Sequence, residues 1–171
     1  MTPKYFIFWY RLDQVDSYLI WYENEPDGVI LDSTGIVPIF PEIDRLLAYV
    51  GSLGLHLEKQ ELILLDLDVV KHWLDKQRNT HIDCDRFLCA YNLFSDVALS
   101  VDDNGFDRDR QRTNSIYNKL FWGNNLPVVT PLGKHYEPIW RDDEIEMLRE
   151  LLEYGLKMFR RVTQYGGKAG S

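Results

Sequence analysis

Between residues 83 and 101 apolar positions recur at helical spacing. Phe87, Tyr91, Phe94, Ala98 and Val101 form one stripe, flanked by Cys84, Leu88, Ala90 and Val97, while Asp85, Cys89, Asn92, Asp96 and Ser100 gather opposite. This distribution predicts a central helix buried over most of its circumference. Asp83 stands where an N-cap belongs, its carboxylate able to accept a first-turn N–H, and Asp102-Asp103-Asn104-Gly105 ends the pattern with turn chemistry.

Upstream the period changes. Residues 4–12 are aromatic throughout and predict a strand with both faces covered or partly covered, and residues 17–23 repeat the pattern. Asp13-Gln14-Val15-Asp16 has the length of a hairpin connection, so the two strands are expected to pair antiparallel. Glu25-Pro26-Asp27-Gly28 signals a turn before short strands at 29–31 and 36–39, with Pro38 favouring a sheet edge. Pro41 suits a first helical turn, and Ile43, Leu46, Leu47 and Val50 space as a helix ending near Gly51 or Gly54. Leu62–Leu65 reads as a buried strand, and Asp66 or Asp68 caps a helix carrying Val69, Val70, Trp73 and Leu74. A polar linker, 76–82, leads into the central helix.

Beyond that helix, 102–112 predicts a charged loop, and Ile116, Tyr117, Leu120 and Phe121 mark a helix ended by Gly123. Residues 124–140, with three prolines, predict an extended loop laid over the fold. The last helix, from about 142 to 162, carries Ile145, Leu148, Leu152, Leu156 and Phe159 on one stripe. Asp142, Asp143, Glu144 and Glu146 open it and Lys157, Arg160 and Arg161 close it, complementing its dipole. The expected fold class is α+β, an N-terminal antiparallel sheet packed against a C-terminal set of helices. One domain over 1–165 and a flexible tail over 166–171 are expected.

Charge sharpens this picture. The 171 residues carry a formal net charge of −8, and residues 12–44 hold Asp13, Asp16, Glu23, Glu25, Asp27, Asp32, Glu42 and Asp44 with no Lys or Arg. Such a field repels phosphate backbones and attracts basic partners, which disfavours direct nucleic-acid binding. Asp13, Asp16, Glu23, Glu25, Asp27 and Asp32, together with Tyr18, Trp21 and Tyr22 in the same segment, form the expected partner-binding patch. Trp9, Trp73, Trp122 and Trp140 lie in or beside apolar patterns and are expected mostly in the core. The absence of a signal peptide or a long apolar run predicts a cytoplasmic location and no membrane partner. Oligomeric state is not legible.

Candidate chemistry is sparse. Cys84 and Cys89, five apart on one helix, point about 140° away from each other and cannot bridge. His56, His72, His81 and His135 have no metal-ligand spacing, so no metal is expected and no cofactor. No catalytic serine or phosphate-cradling glycine motif is present. One enzymatic resemblance stands out: residues 62–70, LILLDLDVV, resemble the first motif of haloacid dehalogenase-like phosphatases. That resemblance implies a magnesium-dependent phosphatase with Asp66 as nucleophile and Asp68 as acid/base. Asp102 and Asp103 would be a downstream metal pair, with Lys119 or Lys134 as the phosphate-side cation.

A second resemblance covers more of the chain. Residues 91–96 (YNLFSD), 118–127 (NKLFWGNNLP) and 136–140 (YEPIW), before an acidic final helix, resemble bacterial immunity proteins of contact-dependent or other polymorphic toxin systems. It implies a non-enzymatic cytoplasmic inhibitor that neutralises a cognate toxin, a basic nuclease-like domain, by direct binding.

Overall fold

The computed structural model describes residues 1–76 and 81–166 and has an α+β fold. The strands are β1 (Lys4–Leu12), β2 (Val15–Glu23), β3 (Gly28–Val29), β4 (Val37–Ile39), β5 (Leu65–Asp66) and β6 (Thr163–Tyr165). The helices are α1 (Ile43–Ser52), α2 (Leu67–Asp75), α3 (Cys84–Ser100), α4 (Arg110–Gly123) and α5 (Asp142–Val162). Four strands form a sheet in the order β3-β2-β1-β5, and β4 pairs with β6.

The hairpin β1–β2 runs in unbroken antiparallel register from Lys4↔Glu23 to Leu12↔Val15. Its connection is two residues rather than four: Asp13 and Gln14 both have positive φ, 53° and 60°, the left-handed geometry that matches strand twist in a tight hairpin. Asp68, at the start of α2, holds that turn by accepting the Asp13 and Gln14 N–H groups, each at 2.7 Å. The sheet is mixed rather than antiparallel, because β5 returns after the α1 crossover and lies parallel to β1, pairing Tyr10 with Leu65.

Both faces of the hairpin are covered, which is why its sequence lacks polar alternation. On one face Tyr10 and Leu19 join Phe87, Phe94, Leu148, Leu152 and Phe159, side chains of α3 and α5. On the other, Ile20 packs with Phe40, Leu46 and Val50, flanked by Tyr5, Ile7 and Tyr18. Helix α3 touches α2, α4, α5 and β3, and Asp83 caps it by accepting the Arg86 N–H at 3.1 Å. Gly155 in α5 is needed for this packing, since a Cβ there would collide with the Phe94 ring.

Several expectations change. Leu62–Leu64 is not a strand: only Leu65–Asp66 pairs, and Ile63 is 78% exposed. Residues 57 and 65 pair with Tyr5 and Tyr10, so eight steps of chain run beside five of β1 and the excess bulges outward. Pro41 precedes the Glu42 N-cap of α1, and Arg110–Arg112 belong to α4 rather than to a loop. Of the five tryptophans only Trp73 is fully buried; Trp122 is exposed, and Trp9, Trp21 and Trp140 are half-buried. The expected tail is held at its first residue, because β6 pairs with β4 and the Gly166 N–H donates to the Ile39 carbonyl at 2.7 Å. Its remainder, 167–171, and linker residues 77–80 lie outside the described residues.

Candidate functional site: an acidic cleft beside the central helix

The predicted patch is divided by the sheet. Strand alternation puts Tyr18 and Tyr22 on the α1 face and Trp21 on the α3 face. Tyr18 lies over the smaller core, stacked on Trp9 at 6.3 Å, and Tyr22 meets Tyr5 edge-on at 6.1 Å. The acids are divided as well. Asp13 pairs with Lys71 at 2.7 Å and with Arg160, and Asp16 with Arg11 at 2.6 Å. The segment's lack of internal cations is thus made good from β1, α2 and α5. Arg160 first, then Lys71, hold the Asp13 carboxyl well below its usual range. Asp32 closes a local turn, accepting from Thr34 and the Ile36 N–H. Glu23 has only a loose contact with Lys4, at 3.7 Å, and Asp27 accepts the Asn24 N–H. Glu25 is exposed in the turn between them.

Trp21 is the predicted residue that leads to a site. With Phe8, Ile63, Leu64, Leu65 and Leu93 it forms the apolar wall of a cleft of about 620 Å³, whose polar side is Asp85, Arg86, Cys89, Asn92 and Asp96. The polar stripe of α3 therefore faces a groove between the helix, the sheet and the outward bulge of residues 63–65. From Asp85 to Asp96 is eleven residues, so the groove runs about 16 Å along the helix.

Asp96 is the unusual group. Trp21 Nε1 donates to its Oδ2 at 2.8 Å, and none of the described Lys, Arg or His side chains pairs with it. Burial pushes its pKa up to about 6, and the nearby Asp27 charge adds to the shift against the Trp21 hydrogen bond. Ser100 fixes the geometry: its Oγ donates to the Asp96 carbonyl at 2.8 Å and accepts the Val29 N–H at 2.9 Å, tying this end of α3 to β3. At the rim Arg86 is held by Asp83 at 2.7 Å. Burial, with help from Asp85, pushes the Cys89 thiol up to about 11, so it stays protonated at neutral pH. Asp85, Cys89 and Asp96 were visible in the sequence as a polar helix face; what identified that face as a site was its position against Trp21 and Phe8.

The remaining candidates are occupied structurally. Asp66 accepts the Asp68 N–H at 3.0 Å as the cap of α2, and Asp68 holds the hairpin turn. Asp103 accepts from the Gly105 and Phe106 N–H groups, Tyr154 and Arg161, whereas Asp102 is exposed. Lys119 Nζ lies 2.6 Å from the buried Glu144 at the start of α5, so Glu144 does more than complement the dipole. Lys134 is exposed. Both cysteines are free, Cys84 buried and Cys89 exposed at the cleft. A second concavity of about 500 Å³ contains His81, His135 and Glu137, but no group of three or more His, Cys, Asp or Glu among the described residues is placed to hold a metal. No helix among them is long and apolar enough to cross a membrane. No protein-family model matches the chain, and it has no significant match among curated proteins or solved structures.

Proposed function

We propose that this chain is a non-enzymatic, acidic binding protein that acts in the cytoplasm and neutralises a cognate toxin with a basic, nuclease-like domain. The observation that supports this reading is Asp96, a half-buried carboxylate facing an apolar cleft with a neutral indole as its donor. A fold that keeps such a group at a cost in stability retains it for interaction. The loosely held or exposed Glu23, Glu25 and Asp27 extend the same negative field from the adjoining hairpin end and speed encounter with a basic surface. Chemistry on a covalent substrate receives no comparable support, because the Cys89 thiol is protonated and both acids of the phosphatase-like motif are engaged by backbone N–H groups.

The test is association with a basic, nuclease-like toxin domain, the proposed partner, measured at two ionic strengths. Replacing Glu23, Glu25 and Asp27 by their amides should slow association severalfold and flatten its salt dependence. Replacing Asp142 and Asp143, which open α5 at the far end of the chain, should leave it unchanged. An unchanged rate for the first set with a slowed one for the second would move the interface to the C-terminal half. A chain that forms no complex with such a domain overturns the reading, and magnesium-dependent phosphate release abolished by Asp66→Asn would replace it with the phosphatase.

A further inference from the structure

The cleft also specifies what it takes from that partner. Resting on the binding reading, we infer that it receives an arginine side chain, whose guanidinium pairs with Asp96 while its aliphatic stem lies against Phe8, Trp21 and Ile63. The free oxygen of Asp96, the apolar wall and the exposed Ile63 converge on this chemistry. Trp21 Nε1 engages Oδ2 of Asp96, and no donor reaches Oδ1 among the described residues. A carboxylate accepts up to about four hydrogen bonds, so the free oxygen is left for an incoming donor. The wall opposite is apolar and aromatic, with Ile63 held out on the bulge at 78% exposure. An exposed isoleucine beside an indole suits the methylene stem of a long cationic side chain.

A guanidinium fits better than an ammonium because it is less strongly hydrated and enters a half-buried site at lower cost, and because its plane can lie against an indole. The cation already in the cleft does not fill this place. Arg86 is bound to Asp83 and sits ten residues from Asp96, about 15 Å along α3. The charge near Asp96 is Asp27 from the β2–β3 turn; Cys89, Asp85 and Arg86 line the cleft farther along α3, and the segment 63–65 contributes none. The local balance is therefore negative. An arriving cation offsets the desolvation of Asp96, and the elevated pKa of that group must fall when the site is filled.

The inference is tested on the whole chain with butylguanidinium as probe and the isosteric, uncharged butylurea as control. Readouts are the indole N–H resonance of Trp21 and the carboxyl carbon resonance of Asp96. Butylguanidinium is expected to shift both saturably, to bind about tenfold tighter than butylurea and to lower the titration midpoint of Asp96. Asp96→Asn should weaken it about tenfold, whereas Asp13→Asn, at the other end of the hairpin, should leave it unchanged. Equal binding of the two probes, the absence of a saturable shift, or full affinity in Asp96→Asn overturns the inference. The two ideas fail separately. Toxin binding that persists unchanged in Asp96→Asn removes the arginine site and leaves the binding protein; loss of the binding reading itself would show as no complex in any variant.

Discussion

At the turn end of the β1–β2 hairpin every nearby acid is matched. Asp13 is shared by Lys71 and Arg160, Asp16 is bound by Arg11, and Asp68 accepts two N–H groups. At the open end Glu23, Glu25 and Asp27 have a loose cation contact or none, and Asp96 beneath them has an indole for a donor. The same cation-free segment supplies acids to both ends, so its composition does not decide their roles. What decides is which helix end lies opposite. The N-terminus of α2 and the C-terminus of α5 bring Lys71, Asp68 and Arg160 to the turn, while the open end meets the polar stripe of α3. The first arrangement is a staple and the second a surface with unmet charge.

The largest effect is expected at Asp68, which holds the turn end together. Asp68→Ala removes the buried carboxylate that accepts from two hairpin-turn N–H groups and is expected to cost about 2–4 kcal/mol in a urea titration. A loss under about 1 kcal/mol would show that the turn does not depend on the staple.

A change of opposite sign is expected at Asp96. Its folded pKa of about 6 lies above the ordinary 3.8, so between these values the folded state binds more protons than the unfolded one. Stability therefore falls as pH rises from about 4 to about 6, and above that range the charged carboxylate is a net burden. Asp96→Asn, which keeps an acceptor for Trp21, should be more stable than wild type by about 1 kcal/mol at neutral pH, a figure discounted for partial solvent screening. The difference should vanish near pH 4. A destabilised Asn variant at neutral pH would mean that the open end is stapled too.

The smallest effect belongs to Asp13. Its depressed pKa contributes stability above the unfolded value, lost as pH falls through the folded one. Asp13, Lys71 and Arg160 are 44%, 38% and 41% exposed, so Asp13→Asn should cost no more than about 1 kcal/mol. Wild-type and variant stabilities should converge in strong acid and in molar salt. Persistence of the full difference in molar salt would show that the pair is screened from solvent.

Much of the architecture could be read from local pattern. Helices α3 and α5, the hairpin and the α+β class follow from apolar spacing and caps, because burial of one stripe or one pleat face imposes a period that the chain itself displays. The Leu62–Leu65 run misled for the same reason: four apolar residues have no period to distinguish a buried strand from an exposed bulge. Strand β6, the parallel pairing of β5 and the two-residue turn depend on partners 54 to 126 positions away in sequence, and nothing local encodes them.

The candidate site divides along the same line. By itself the sequence determined that residues 12–44 are acidic without cations, that Trp21 lies among those acids, and that α3 has a polar face bearing Asp85, Cys89 and Asp96. Only the tertiary structure decided that Asp13 and Asp16 are neutralised, that Tyr18 and Tyr22 turn away from Trp21, and that Asp96 comes to rest against the Trp21 indole. Charge and helical phase are properties of a single segment, written in its own residues. Pairing and desolvation are properties of two segments at once, and they exist only after folding has placed one against the other.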